Sequence, residues 1–136
     1  MDSVSFIIPH KGRENMLIET IGSIAALEYP HEQLDIVLVS QNPAVSDDVK
    51  QAAGNITLQV IESTPDNTIS TSRNIGARQA KGNYFAFLDA DIALSANWLN
   101  TCLQLLQSRP DTKLVSAMQL PSATPTPLEH IRVALS

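Results

Sequence analysis

The sequence predicts an α/β fold in which a mostly parallel β-sheet has helices on both faces. Short β-rich runs alternate with segments of helical length along the chain. Most of these runs are nearly continuous in apolar residues, which is typical of strands covered on both sides. Such alternation favours parallel strands joined by right-handed crossovers. The predicted strands are residues 4–8, 34–39, 56–61, 84–88 and 113–118, of which 56–61 alternates as an edge strand would.

The predicted helices have amphipathic stripes or recognisable ends. Leu17, Ile21 and Ile24 lie on one stripe of the first helix. Gly54 is of the residue type that is common just past a helix end, and Ser95 is a favourable N-cap. The predicted helices are residues 14–27, 46–53, 70–80 and 96–108.

The C-terminal segment is predicted to lie outside the main domain, which we place at residues 1–120. Residues 121–136 begin with a proline-rich linker. Thr126 to Glu129 then form a capping box with proline at the first helical position, which predicts a short helix over residues 127–135. The apolar side of that helix would be exposed, so we expect self-association through it.

Composition narrows the class of function. The chain has 136 residues, of which 43 % are hydrophobic and 17 % charged, so one domain with a core is expected. The net charge of −5, without a Lys/Arg cluster, argues against nucleic-acid binding. The single cysteine, Cys102, excludes an internal disulfide.

No apolar run approaches about 18 residues and no signal peptide is evident. We therefore expect a cytoplasmic protein, or one bound peripherally at the inner face of the membrane.

Asp89 and Asp91 are the sharpest chemical signal. They follow the apolar run 84–88 directly, and open parallel sheets bind ligands outside the carboxyl ends of their strands. Carboxylate oxygens suit Mg²⁺ or Mn²⁺, and such an ion would neutralise a phosphate-bearing ligand. The alternative is an aspartate turn that caps a helix.

Cationic side chains are predicted to face this acidic pair. Lys11 and Arg13 follow the first strand, and Arg73 lies in the predicted helix before the fourth. A diphosphate with a bound metal ion needs cationic side chains opposite an acidic pair. Each of these three basic residues could equally be a solvated surface residue. His10 ends the first strand and is placed to touch a ligand. The chain lacks the glycine-rich, Walker and Gly-x-Ser-x-Gly motifs of dinucleotide oxidoreductases, P-loop NTPases and α/β-hydrolases.

Several short motifs together resemble a known family. They are Val4-Ser5-Phe6-Ile7-Ile8-Pro9, Arg13-Glu14, Ser72-Arg73-Asn74-Ile75-Gly76, Phe87-Leu88-Asp89-Ala90-Asp91 and Trp98-Leu99. In this order and spacing they resemble family 2 of the glycosyltransferases, from Val4 to about Met118. The resemblance implies the GT-A fold, whose Rossmann-like half binds a nucleotide-diphosphate sugar, here over residues 1–120.

The resemblance also implies an activity and a set of site residues. The activity is transfer of a sugar from a nucleotide-diphosphate-sugar donor to a saccharide or lipid-linked acceptor, assisted by Mn²⁺ or Mg²⁺. The implied metal ligands are Asp89 and Asp91. The implied donor-binding residues are Pro9, His10, Lys11, Arg13, Gln41, Asn42, Arg73, Asp89 and Ala90.

The sequence departs from the family pattern at three loops. Ser40-Gln41-Asn42-Pro43 stands where the family usually has Asp-Asp-Gly-Ser. Gln41 or Asn42 could still hydrogen-bond the edge of uracil or guanine, so the base stays open. The first loop has Lys11-Gly12 in place of an aromatic residue and asparagine, and Ile69 replaces a usual glycine.

Family members continue beyond the acidic motif with an acceptor-binding half, which holds the general base of inverting enzymes. In this sequence Glu129 is the one acidic residue that follows Asp111, and the capping box already gives it a structural role. We therefore expect this chain to bind a nucleotide diphosphate without transferring sugar, and no catalytic residue is assigned. A non-catalytic nucleotide-sugar-binding or assembly module is the alternative. A phosphotransferase with an aspartate nucleophile is a third interpretation, disfavoured because no Gly-Thr follows the acidic motif.

Overall fold

The computed structural model describes residues 3–12, 14–42, 45–64, 66–90, 92–108, 112–117 and 131–135. The strands are β1 (Val4–His10), β2 (Leu34–Ser40), β3 (Thr57–Glu62), β4 (Tyr84–Phe87), β5 (Thr112–Ala117) and β6 (Ile131–Leu135). The helices are α1 (Asn15–Ala25), α2 (Asp47–Ala52), α3 (Ile69–Gln79) and α4 (Trp98–Ser108), with a 3₁₀ turn at His31–Gln33.

The strands form one six-stranded sheet in the order β3-β2-β1-β4-β5-β6. The pairs β1–β2, β1–β4, β2–β3 and β4–β5 are parallel, whereas β5–β6 is antiparallel. The prediction of a mostly parallel sheet is therefore confirmed, as is the edge position of the third strand. The first and fourth strands are adjacent.

The two faces of the sheet are covered by different helices. Because side chains alternate along a strand, Phe6 of β1 packs in a large core cluster with Leu17 of α1 and Trp98 of α4. The rings of Phe6 and Trp98 lie 6.1 Å apart. Ile7 points to the opposite face, where Ile75 of α3 packs against its cluster. Helices on both faces are thereby confirmed.

Helix α3 lies unusually close to the sheet at Gly76. A Cβ atom built on Gly76 would be 2.5 Å from Cγ2 of Ile7 and 3.2 Å from Cγ2 of Val39. Both of these neighbours are fully buried, so they have little room to move. The absence of a side chain at Gly76 therefore allows α3 to pack this closely against the sheet.

The helix ends are set by local hydrogen bonds and backbone geometry. The N-cap of α3 is Thr68, whose Oγ1 accepts the N–H of Thr71 at 3.1 Å, so the helix begins one residue before the prediction. Gly54, just past α2, has φ +58°, as expected for a residue that ends a helix. In the described part of the chain, no helix is both long and apolar enough to cross a membrane.

The predicted C-terminal helix is wrong for residues 131–135, which form strand β6 against β5. Ile131 and Val133 are β-branched and alternate with Arg132, a pattern that suits a strand, and pairing with β5 satisfies their backbone groups. Self-association through a C-terminal helix therefore loses its basis. The capping box and the predicted boundary at residue 120 lie outside the described residues, so the division into domain and linker stays a prediction.

Candidate functional site

The candidate site is a cleft where the strand order reverses. From β1 the chain runs to β2 and β3 on one side, whereas β4 and β5 lie on the other. The loops that follow β1 and β4 therefore diverge and leave a crevice at the carboxyl ends of the strands. The cleft has a volume of about 580 Å³. It is lined by Pro9, His10, Lys11, Gln41, Asn67, Thr68, Ile69, Ser72, Asp89 and Ala90.

Hydrogen bonds between strand ends hold the rim of this cleft. The N–H of Leu88 donates to the carbonyl oxygen of Ile7 at 3.0 Å, so Asp89 emerges beside the end of β1. On the other side of β1, the N–H of Gln41 donates to the carbonyl oxygen of His10 at 2.9 Å. The loops after β1, β2 and β4 thus start from one rigid edge.

Arg73 and Asp89 form an ion pair at the cleft. The distance from Nη2 of Arg73 to Oδ1 of Asp89 is 3.3 Å, and the side chains are 41 % and 54 % exposed. Nε of Arg73 is buried without a hydrogen-bond partner among the described residues. Because the pair is half-exposed, it contributes little to stability. The ion pair does place the guanidinium of Arg73, whose Nε has no partner among the described residues, next to Asp89.

Asn42 is turned away from the cleft toward the loop after β1. Its Nδ2 donates to the carbonyl oxygen of Gly12 at 2.7 Å, and its Oδ1 accepts the N–H of Gly12 at 3.0 Å. Gly12 has φ +94°, a conformation that favours glycine. Asn42 does not line the cleft, because its amide is used to hold the backbone next to Lys11.

Gln41, by contrast, lines the cleft and reaches across to the loop before α3. Its Nε2 donates to the carbonyl oxygen of Asn67 at 2.7 Å. A carbonyl oxygen only accepts, so this contact fixes which end of the Gln41 amide faces Asn67. Oε1 therefore lies at the other end of the Gln41 amide, where it can only accept a hydrogen bond. Asn67 is itself held by a 2.6 Å hydrogen bond from Nδ2 to Oγ of Ser63.

Glu14 ties the start of α1 to the loop before α2. The N–H of Ser46 donates to Oε2 of Glu14 at 3.1 Å. Hydrogen bonds from the Ser46 side chain and backbone lower the pKa of this exposed carboxyl below its usual 4.5. Together with the Asn42–Gly12 contact, this bond ties the connection between β1 and α1 to neighbouring loops at Gly12 and at Glu14.

The structure brings together most of the residues predicted for the site. Those that line the cleft as predicted are Pro9, His10, Lys11, Gln41, Asp89 and Ala90, and Arg73 contacts Asp89. Arg13 and Asp91 lie outside the described residues. The cleft also includes Asn67, Thr68, Ile69 and Ser72, which the sequence did not assign. Asn67 lies in the loop that follows β3, where the rule that ligands bind after parallel strands places candidate residues.

The donor atoms suit a hard divalent cation only in part. Among the described residues, no three His, Cys, Asp or Glu side chains lie close enough to form a metal site. Asp89 supplies exposed carboxylate oxygens at the rim of the cleft, the atom type that Mg²⁺ and Mn²⁺ prefer. A metal ion there would need further oxygen ligands from outside this set, as is usual for ions that bridge to phosphates.

The fold is that of the N-terminal half of GT-A glycosyltransferases. The chain belongs to glycosyl transferase family 2, whose sequence model matches residues 5–126. Related curated proteins include an uncharacterized glycosyltransferase of Rickettsia bellii, 28 % identical over 106 residues. Another is the glucosyl-dolichyl phosphate glucuronosyltransferase of Haloferax volcanii, 29 % identical over 104 residues. The match covers 76 % of this chain in both cases, but only 15 % and 33 % of those proteins.

Solved structures share the fold at low sequence identity. S. aureus TarS 1-349 in complex with UDP-GlcNAc superposes with a TM-score of 0.74 at 21 % identity, over 91 % of this chain and 37 % of that one. The mannosyltransferase PcManGT of Pyrobaculum calidifontis, in complex with GDP-Man and Mn²⁺, gives a TM-score of 0.64 at 21 % identity. That match covers 77 % of this chain and 32 % of the other.

Proposed function

We propose that this chain is the donor-binding part of a glycosyltransferase and binds a nucleotide-diphosphate sugar in the cleft between β1 and β4. The main support is that Lys11, Arg73 and Asp89 meet at one cleft, at the reversal of strand order. Membership of family 2 supports the same ligand class. So do the UDP-GlcNAc and GDP-Man complexes of two proteins with this fold.

Each part of the cleft has a chemical role in this proposal. Pro9 and His10 contact the nucleoside, and Oε1 of Gln41 accepts an N–H of the base. Such an acceptor suits the N3–H of uracil or the N1–H of guanine. Lys11 and Arg73 donate to the diphosphate oxygens, where charge-assisted hydrogen bonds are strongest.

A divalent cation completes the proposed donor site. Asp89 and Asp91 would hold Mn²⁺ or Mg²⁺, and the ion would stabilise the negative charge on the leaving diphosphate. Nη2 of Arg73 lies 3.3 Å from Oδ1 of Asp89, so the guanidinium orients that carboxylate at the rim of the cleft. The guanidinium of Arg73 and the metal ion would then both stabilise the negative charge of the diphosphate.

The proposed acceptor is a saccharide or a lipid-linked sugar. The name of the H. volcanii relative includes such a lipid-linked sugar, glucosyl-dolichyl phosphate. Transfer needs a base that takes the proton from the acceptor hydroxyl. We assign no residue of the described part to that role.

Calorimetric titration with nucleoside diphosphates tests the proposal. UDP, GDP, CDP, ADP and dTDP are titrated into the chain with and without Mn²⁺. We expect one of them to bind, and to bind more tightly with Mn²⁺. Failure of all five to bind would contradict the proposal.

Carboxylate-to-amide variants identify the source of the metal effect. Asp89→Asn and Asp91→Asn should each remove most of the Mn²⁺ enhancement and leave metal-free binding similar. Glu32→Gln is the matched control, because Glu32 is exposed at the amino ends of the strands, just before β2. An unchanged enhancement in both aspartate variants would show that these residues are only turn residues.

A further inference from the structure

Two hydroxyl groups of helix α1 contact the loop that holds the acidic motif. Oγ1 of Thr20 lies 3.0 Å from the carbonyl oxygen of Ala90 and 3.0 Å from that of Met16. Oγ of Ser23 accepts the N–H of Leu94 at 3.0 Å. Thr20 and Ser23 are three residues apart, so both lie on the same face of the helix.

The two contacts lie on either side of the acidic motif in the sequence. We call residues 89–94 the acidic loop. Ala90 is held near its start and Leu94 at its end, and position 91 lies between them. The Ser23 hydroxyl is itself held in place, since its Oγ donates to the backbone carbonyl oxygen of Thr20 at 2.6 Å. One turn of α1 thus anchors both ends of the loop.

The contact from Thr20 differs from an ordinary helical threonine bond. A threonine hydroxyl inside a helix usually donates to the carbonyl four residues back, and Met16 offers that acceptor to Thr20. Thr20 is only 1 % exposed, and the second acceptor belongs to a segment 70 residues away in sequence. Removing a buried hydroxyl leaves its partner unsatisfied, which costs more than the bond contributes.

Apolar side chains of the same loop support this attachment. Ile92 and Leu94 are 2 % and 9 % exposed and belong to the core cluster that includes Leu17 and Ile21 of α1. Asp89, in contrast, is directed to the cleft and is half-exposed. Packing therefore fixes Ile92 and Leu94 against α1, while the two hydroxyl groups hold the backbone at Ala90 and at Leu94.

We propose that Thr20 and Ser23 are positioning residues for the acidic loop, which they hold so that its carboxylates meet the diphosphate and its metal ion. This inference rests on the proposed function. Residues that orient metal ligands act in this way, and their loss lowers metal affinity by about ten- to hundredfold. Neither side chain lines the cleft, so both act through the backbone of the loop.

Thr20→Val is the decisive variant, because it removes the hydroxyl and keeps the shape and the β-branch. We expect about tenfold weaker binding of Mn²⁺ in the presence of UDP or GDP, measured by the electron paramagnetic resonance signal of free Mn²⁺. Metal-free binding of UMP and GMP, which tests the nucleoside contacts alone, should change less than about twofold. Thr20→Ser keeps the hydroxyl and should restore Mn²⁺ binding.

Thr101→Val is the matched control. The hydroxyl of Thr101 donates to the carbonyl of Asn97, four residues back in the same chain segment, and the cleft does not include it. This control should bind Mn²⁺ and nucleotides as the parent chain does. An equal loss in Thr101→Val and Thr20→Val would overturn the inference, as would normal Mn²⁺ binding by Thr20→Val.

Hydrogen exchange gives a readout that does not depend on a ligand. The amide of Leu94 should exchange faster in Ser23→Ala, because it loses its acceptor, and unchanged protection would contradict the anchoring. The two proposals fail in different ways. Absence of Mn²⁺-dependent nucleotide binding by the parent chain removes the proposed function and the positioning role with it. Binding by the parent with no effect of Thr20→Val removes the positioning role alone.

Discussion

Asn42 and Gly12 pair as two amides do, with Nδ2 of Asn42 donating at 2.7 Å and its Oδ1 accepting at 3.0 Å. The contact joins the loop after β2 to the loop after β1, across 30 residues of sequence. It holds the backbone beside Lys11, which lines the cleft. The side chain of the neighbouring Gln41 instead lines the cleft. Both amides were candidates for contact with the base, but the structure uses Asn42 to hold a loop and places Gln41 at the cleft.

Asn42→Ala should weaken nucleotide binding without changing which base is preferred. The loss of the two hydrogen bonds frees the Lys11 loop, and at about 1 kcal/mol net this corresponds to roughly fivefold in affinity. Gln41→Ala, in contrast, should alter the ratio of affinities between the best-bound diphosphate and the next best. Calorimetry on both variants measures these ratios. A changed base preference in Asn42→Ala would mean that Asn42 touches the base.

Arg73→Ala should lower diphosphate affinity and leave stability almost unchanged. The ion pair with Asp89 is half-exposed, so its removal should change the free energy of unfolding by less than about 1 kcal/mol. Arg78→Ala, an exposed arginine on the same helix, is the control. Thermal unfolding and titration with the bound diphosphate separate the two effects. Equal affinity losses in both variants would mean that the overall positive charge of the helix, and not a contact made by Arg73, attracts the diphosphate.

Gly76→Ala should destabilise the protein, whereas Gly22→Ala should stabilise it. The new methyl group of Gly76→Ala would meet Ile7 at 2.5 Å, but Gly22 has no atom within 4 Å of the same position. We expect a loss of about 1–3 kcal/mol for the first, from overpacking. For the second we expect a gain of about 0.5–1 kcal/mol, because alanine favours a helix interior. Urea unfolding measures both, and destabilisation by Gly22→Ala would contradict the comparison.

Cys102 should make stability fall as the pH rises above 9. Burial raises the pKa of this thiol from 9.0 to about 12. The unfolded chain then releases the proton from pH 9 upward while the folded chain keeps it, so the free energy of unfolding declines between pH 9 and 12. Cys102→Ala should show a shallower decline over this range in urea unfolding. Slow reaction of the native thiol with a disulfide reagent at pH 8 is expected for the same reason.

Hydrophobic patterning determined the sheet and its helices. Apolar runs with short helical segments between them predict parallel strands, because such strands must be covered on both faces. The residues after strands β1 and β4 were therefore predicted to meet, and Lys11 and Asp89 do line one cleft. The strand at Ile131–Leu135 was not predicted, because a short apolar segment fits the period of a helix or of a strand, and its partner β5 decides between them.

The sequence by itself determined which residue types stand at the ends of the strands, and so the chemistry available to the site. Tertiary structure alone decided how the side chains are used. The side chain of Asn42 bonds to the backbone of Gly12, and that of Gln41 bonds to the backbone of Asn67. The hydroxyl of Thr20 contacts the carbonyl of Ala90, which is 70 residues away in sequence. The physical reason is that each polar group takes whichever partner the packed chain brings within hydrogen-bond distance. Those distances are set by the close packing of helices on the sheet, which no local pattern encodes.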